Sequence, residues 1–194
     1  AGTSDIALTL NGRLTAYGMV PYAGDEITDK IAETYLLDFT TAEKVKRSLN
    51  KKEVRFKDIL GNLHANVPSE EIKQAIDDTT EMVAKKISSS ILDLNSKPPQ
   101  AIICIGGGSL TPEIDKKIAK AINLPLSRVG IAREDTLQNI VGDNKKIFNK
   151  VTTQQLITPL GISLNSTESL GLTYCEVFVN NSPVRLLAIK DLKV

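Results

Sequence analysis

The chain has no tryptophan, one histidine and two cysteines among its 194 residues, and aromatic residues make up only 4% of it. Each scarcity removes a class of chemistry. With His64 as the sole imidazole, a histidine-ligated metal centre or a histidine-dependent triad is a poor reading. Cys104 and Cys175 stand far apart inside apolar stretches and lack CxxC spacing, so neither a disulfide scaffold nor a zinc or redox site is expected. Neither sign of charge prevails: 24 Lys and Arg oppose 23 Asp and Glu. The cluster Lys44, Lys46, Arg47, Lys51, Lys52, Arg55 and Lys57, opposed by Glu53, has no aromatic stacking platform beside it, so a solvated face is expected and not a nucleic-acid surface. No apolar run approaches the roughly 18 to 20 residues that cross a bilayer, and the N-terminus lacks a basic segment followed by an apolar one. Direct membrane insertion is therefore not expected, and the chain reads as cytoplasmic. It opens AGTSDIALTL without methionine, as if cut inside an element, which suggests a piece of something longer.

What is present is a globular composition, 41% hydrophobic, sufficient for one good core or two small ones. SDIALTL and RLTAYGMV flank Asn11-Gly12, a dipeptide suited to a tight turn, and predict a β-hairpin. DEITDKIAETYLL follows Gly24 and places Ile27, Ile31 and Tyr35 on one helical face, with acids in the first turn. TAEKVKRSL predicts a second helix capped by Thr40 or Thr41, and KKEVRFKDIL and NLHANV predict short strands around Gly61. From Pro68 to Lys97 the apolar spacing predicts one long helix. AIICI predicts a short buried strand, then glycines and a helix from about Pro112 to Ile122; SRVGIA predicts a strand and QQLITPLGISL a helix. TYCEVFVNNSPVRLLAI predicts a second hairpin turning at Asn180 to Ser182. Alternation of strands and helices implies an α/β layer architecture.

Three segments could carry chemistry. In IICIGGGSLTPEI an apolar strand runs into Gly106, Gly107, Gly108 and Ser109; glycines let backbone approach a ligand, and a following helix offers free N–H groups. The bland alternative is a tight strand-to-helix turn. The motif is neither the Rossmann GxGxxG nor a P-loop. In AGTSD, amides and hydroxyls could meet phosphate oxygens while Asp5 holds a magnesium-bound water, though small polar residues at a chain start are more often simply a turn. In AEKVKR, Glu43, Lys46 and Arg47 project the same way from one helical turn; taken alone, such a set reads as a solvated ion-pair ladder.

In combination and in this order, GTSD, PYAGDEIT, AEKVKR and IGGGSLTPEI resemble the second half of the actin-like ATPase superfamily across about residues 1–165, with wording most similar to the FtsA group. That resemblance implies a ribonuclease H-like subdomain (1–38 and 97–167) carrying an inserted smaller α+β subdomain (39–96), followed by a C-terminal β-hairpin (168–194) that could begin a further module. It implies ATP or ADP with Mg²⁺ as cofactors. Gly2, Thr3 and Asp5 match the second phosphate loop, with Asp5 in the catalytic and metal-supporting position. Gly24 matches a glycine near the nucleotide, Glu43 and Lys46 match the pair contacting ribose and purine, and Arg47 lies beside the base. Gly106, Gly107, Gly108 and Ser109 match the adenosine loop. The family's acidic residue before the GTSD glycine and its entire first half are not in this sequence, so this fragment alone is expected to be a poor ATPase. The helix expected after the adenosine motif looks displaced, with ITPLGISL at 157–164 in its place.

The implied function is nucleotide-dependent assembly or partner binding in cell division or pilus assembly. The alternatives are an actin-like scaffold without activity and a reactivating ATPase or chaperone for another enzyme. The implied partners are a cell-division, pilus or enzyme-reactivation component, and self-association through the apolar surface that a half-pocket leaves exposed. The absence of a metal-binding cysteine pair speaks against the iron–sulfur activators of the superfamily.

Overall fold

The computed structural model describes residues 2–10, 13–132, 174–179 and 182–187. The chain divides into two units, Ala1–Ile103 with Gly108–Gly130, and Cys104–Gly107 with Ile131–Val194.

The first unit begins with β1 (Ser4–Leu10) and β2 (Arg13–Val20), paired antiparallel with Ser4 opposite Val20 and Leu10 opposite Arg13. The Asn11-Gly12 turn lies outside the described residues. Strand side chains alternate between faces, so Ile6 and Val20 turn inward to meet Ile91 and Ile122, while Tyr17 and Met19 are exposed. Next comes α1 (Gly24–Tyr35), whose start is fixed by the Glu26 carboxylate accepting the Ala23 N–H at 2.6 Å. The inward stripe of α1 is Gly24, Ile27, Thr28 and Ile31, the three-and-four spacing of one helical face. Leu36, left-handed at φ 52°, ends the helix.

The next helix, α2 (Phe39–Arg47), is capped by Asp38, not by Thr40 or Thr41. Thr41 is the third helical residue, where a free N–H needs an acceptor; Asp38 accepts that N–H at 3.0 Å and the Thr41 hydroxyl at 2.6 Å. Val45 and Ala42 face inward. The hairpin of β3 (Glu53–Lys57) and β4 (Leu63–Pro68) follows as expected, with Gly61 at φ +87° in its connection. Asp58 organises that connection by accepting the N–H groups of Leu60 at 3.0 Å and Asn62 at 2.8 Å. His64 lies on β4, in the NLHANV segment read as a strand, half-buried, its ring stacked 5.0 Å from Phe56 and its Nε2 3.1 Å from Asp58.

The single long helix expected after Pro68 is two, α3 (Ser69–Ala75) and α4 (Asp77–Asn95). At the junction the Ile76 carbonyl accepts both the Thr80 N–H at 2.9 Å and the Thr80 hydroxyl at 2.8 Å, a side-chain back-bond of the kind that bends helices. Strand β5 (Ile102–Cys104) pairs with β6 (Val129–Ile131). The expectation that AIICI is buried holds for alternate positions only: Ile102 joins the core, while Ile103 is 68% and Ile105 53% exposed. Between these strands, a 3₁₀ turn at Gly107–Leu110 precedes α5 (Ile114–Ala121). In the second unit, β7 (Tyr174–Val179) and β8 (Ser182–Leu187) pair antiparallel. The expected helix around 157–164 lies outside the described residues. No helix among the described residues is long and apolar enough to cross a membrane.

Candidate functional site

Helices α1 and α2 pack together, and the polar members of their facing stripes form a connected cluster. Glu43, Lys46 and Arg47 occupy successive turns of α2, the spacing that lets their side chains meet. Lys46 Nζ lies 2.6 Å from a Glu43 oxygen and 2.6 Å from the Thr28 hydroxyl, and donates to the Gly24 carbonyl at 2.9 Å. An ammonium has three N–H donors, so all three are used by the protein. Thr28 Oγ1 is 2.8 Å from the same Glu43 oxygen, and the other Glu43 oxygen accepts from Arg47 Nε at 2.8 Å.

Lys46 and Glu43 are largely shielded, their side chains 13% and 25% exposed, while Arg47 at 71% faces solvent. Burial pushes the Glu43 carboxyl pKa up, but hydrogen bonds from Lys46, Thr28 and Arg47, together with the Lys46 charge, outweigh it and hold the value at about 2. Glu43 is therefore an acceptor-only group across the neutral range.

Gly24 opens the cluster toward the glycine loop. A Cβ at Gly24 would stand 3.3 Å from Lys46 Nζ and 3.8 Å from the Gly108 Cα, and one at Gly108 would stand 3.9 Å from the Gly24 nitrogen. The absence of side chains thus lets two backbones and a lysine ammonium meet. Gly2 lies beside the start of α1, where its Cβ would be 3.4 Å from an Asp25 carboxylate oxygen. Ser4 donates to the Tyr22 carbonyl at 2.7 Å, tying the hairpin to the segment that leads into α1.

The structure therefore brings Gly24, Glu43, Lys46, Arg47 and Gly108 together and sets Gly2 against the same helix start. Ser109 is buried in the 3₁₀ turn. Gly106 follows β5 at φ +87°, and a Cβ at Gly107 would meet no atom within 4 Å. A 3₁₀ turn at Gly107–Leu110 separates the glycines from α5, which begins at Ile114, two residues after the expected Pro112, behind Glu113 at φ 61°. Thr3 is exposed near the chain start. Asp5 lies on the exposed face of β1, its carboxylate accepting from the Tyr17 hydroxyl at 2.7 Å; that hydrogen bond is the main cause raising the Tyr17 pKa.

Sequence reasoning missed Thr28. The available signal was a hydroxyl on the apolar stripe of α1, one residue after Ile27, since a buried hydroxyl requires a partner.

A family profile described as Cell division protein FtsA matches residues 1–159. The chain belongs to the FtsA family. A curated relative, the Cell division protein FtsA of Buchnera aphidicola subsp. Baizongia pistaciae, is 24% identical over 83% of this FtsA-family chain and 41% of its own length. The chain thus spans about two-fifths of the relative's length. Among solved structures, the PilM-PilN type IV pilus biogenesis complex is similar with a TM-score of 0.59 and 13% identity, over 82% of this chain and 41% of the other. MreB5 of Spiroplasma citri bound to ADP gives 0.52 and 24%, over 77% and 50%. The ethanolamine utilization protein EutJ from Carboxydothermus hydrogenoformans gives 0.50 and 18%, over 70% and 42%. The fold of this FtsA-family chain is accordingly a mixed α/β fold of the actin-like ATPase superfamily.

Proposed function

We propose that this chain is the adenine-nucleotide-binding half of an FtsA-like ATPase, in which ATP or ADP state governs assembly or partner binding in cell division. The observation that supports this most is the partly buried Glu43–Lys46–Thr28 cluster closing onto Gly24, with the Gly108 backbone in contact range of Gly24. Such a cluster offers a fixed carboxylate for hydroxyl donors beside glycine backbone that a flat ring can approach. In this reading Glu43 and Lys46 meet the ribose, Arg47 lies beside the purine, and Gly106, Gly107, Gly108 and Ser109 form the adenosine loop. Gly2 and Thr3 serve the phosphates. Asp5 supports Mg²⁺ through water. Among the described residues, no three His, Cys, Asp or Glu side chains form a group that could hold a metal.

The domain reading that accompanies this is a ribonuclease H-like subdomain formed by 1–38 and 97–167, an inserted smaller subdomain at 39–96, and a C-terminal hairpin module at 168–194. The wider protein's partners in this reading are a division component and further copies of itself. The likeness to the pilus complex supports a second reading, in which the same site controls binding of a pilus-assembly partner.

The test is nucleotide binding by the full-length protein with Mg²⁺, comparing wild type with Lys46→Ala and Gly107→Val. The open space around Gly107 means that its valine variant should fold normally. A loss of at least about tenfold in ATP affinity by both variants is expected for removal of a charged donor and for steric intrusion into ligand space. Normal binding by both would refute the site.

A further inference from the structure

We propose that Thr28 is a positioning residue, whose hydroxyl fixes Glu43 and Lys46 in the arrangement that receives the ribose hydroxyls of a nucleotide. This rests on the nucleotide site proposed above.

Thr28 is fully buried at 0% exposure on the inward stripe of α1. Its hydroxyl has one proton and accepts from Lys46 Nζ at 2.6 Å. The proton has two acceptors in reach, the Glu43 carboxylate at 2.8 Å and the Gly24 carbonyl at 3.1 Å. The shorter contact leads to a charged acceptor, the stronger kind of hydrogen bond, so the proton goes to Glu43. One hydroxyl thus takes the lysine on one side and holds the carboxylate on the other.

The constraint determines which part of Glu43 is free. An ionised carboxylate has about four lone-pair sites. Among the described residues, one oxygen receives Thr28 and Lys46, while the other receives only Arg47. The oxygen shared with the exposed arginine is therefore the one with capacity for a ligand hydroxyl. Without the Thr28 hydroxyl, the carboxylate keeps its charge partners but loses the donor that selects this rotation. A donor on a different helix anchors Glu43 from outside α2, which Lys46 and Arg47, on the same helix, cannot do.

The test compares ADP with 2′,3′-dideoxy-ADP by calorimetry in the full-length protein, for wild type, Thr28→Val, Thr28→Ala and Thr28→Ser. Valine keeps the shape, alanine removes the hydroxyl without the β-branch, and serine keeps the hydroxyl. Loss of one charge-assisted hydrogen bond predicts about tenfold weaker ADP binding by the valine and alanine variants. Dideoxy-ADP binding should change by less than about twofold, and serine should restore ADP binding to within about threefold of wild type. A merely structural role would weaken both ligands alike. Equal loss for both ligands, or unchanged ADP binding in the valine and alanine variants, would overturn the inference while leaving the nucleotide site standing. Failure of the wild type to bind ADP would overturn the site itself and this inference with it.

Discussion

Replacing Glu43 by glutamine preserves the side chain's size and removes the charge that Lys46, Thr28 and Arg47 converge on. The Glu43 carboxyl is held at about 2, against 4.5 for an unperturbed glutamate, and at about 1.4 kcal/mol per unit this difference is worth about 3 kcal/mol before screening. The side chain is 25% exposed, so solvent screening lowers the working figure to about 2 kcal/mol. A carboxyl depressed in the folded state contributes its full stability above the unfolded value and loses it as pH falls toward the folded one. The window is therefore from 4.5 down to about 2. Urea unfolding of wild type and Glu43→Gln between pH 7 and pH 3 should give a wild-type advantage that is constant down to about pH 5 and narrows below it. The amide's own packing and hydrogen-bonding cost shifts the whole difference curve without changing its shape. A gap that stays constant to pH 3, or widens in acid, would refute the argument that the cluster stabilises an ionised Glu43.

Gly24→Val should displace Lys46, since even its Cβ would stand 3.3 Å from the ammonium; a stability loss of about 1–3 kcal/mol is expected from such overpacking. Thermal unfolding checks this, and an unchanged midpoint would contradict the close approach. Ile31→Ala, at a position with 0% exposure on the stripe that carries Thr28, should cost about 2–5 kcal/mol in urea unfolding. Ile59→Ala, at 66% exposure, should stay within about 0.5 kcal/mol of wild type.

The elements legible in the sequence are those whose evidence is local. The α1 stripe, the β3–β4 hairpin around Gly61 and the acidic first turns require only spacing and turn chemistry. The split at Ile76, where the backbone turns to φ −96° and ψ −1°, was hidden because the apolar spacing runs through that residue unbroken. The cap of α2 was misplaced on Thr40 or Thr41 because aspartate and threonine are both capping residue types, and spacing alone does not show that the Asp38 carboxylate is the group that accepts the Thr41 N–H. The alternating burial of AIICI was illegible because a uniformly apolar run carries no period. At the site, the AEKVKR spacing predicted the meeting of Glu43, Lys46 and Arg47. Thr28 was invisible because its importance comes from the packing of α1 against α2, a tertiary fact that helical periodicity records only as one polar residue on an apolar face.

The hydrogen-bond saturation of Lys46 has a consequence for how the cluster can work. Its three donors already serve Gly24, Thr28 and Glu43, so a ligand that engages the ammonium must replace one of these acceptors with an equally good one. A buried cation left short of an acceptor is costly, whereas an exchange of one oxygen for another is nearly neutral. The Gly24 carbonyl is the acceptor most readily exchanged, because it is the only uncharged backbone partner and its 2.9 Å contact is the longest of the three. Release of that carbonyl would act at the first residue of α1, the residue whose nitrogen faces the Gly108 backbone. In the nucleotide site proposed above, ligand contact with Lys46 would therefore be felt at the start of α1 through a single hydrogen bond.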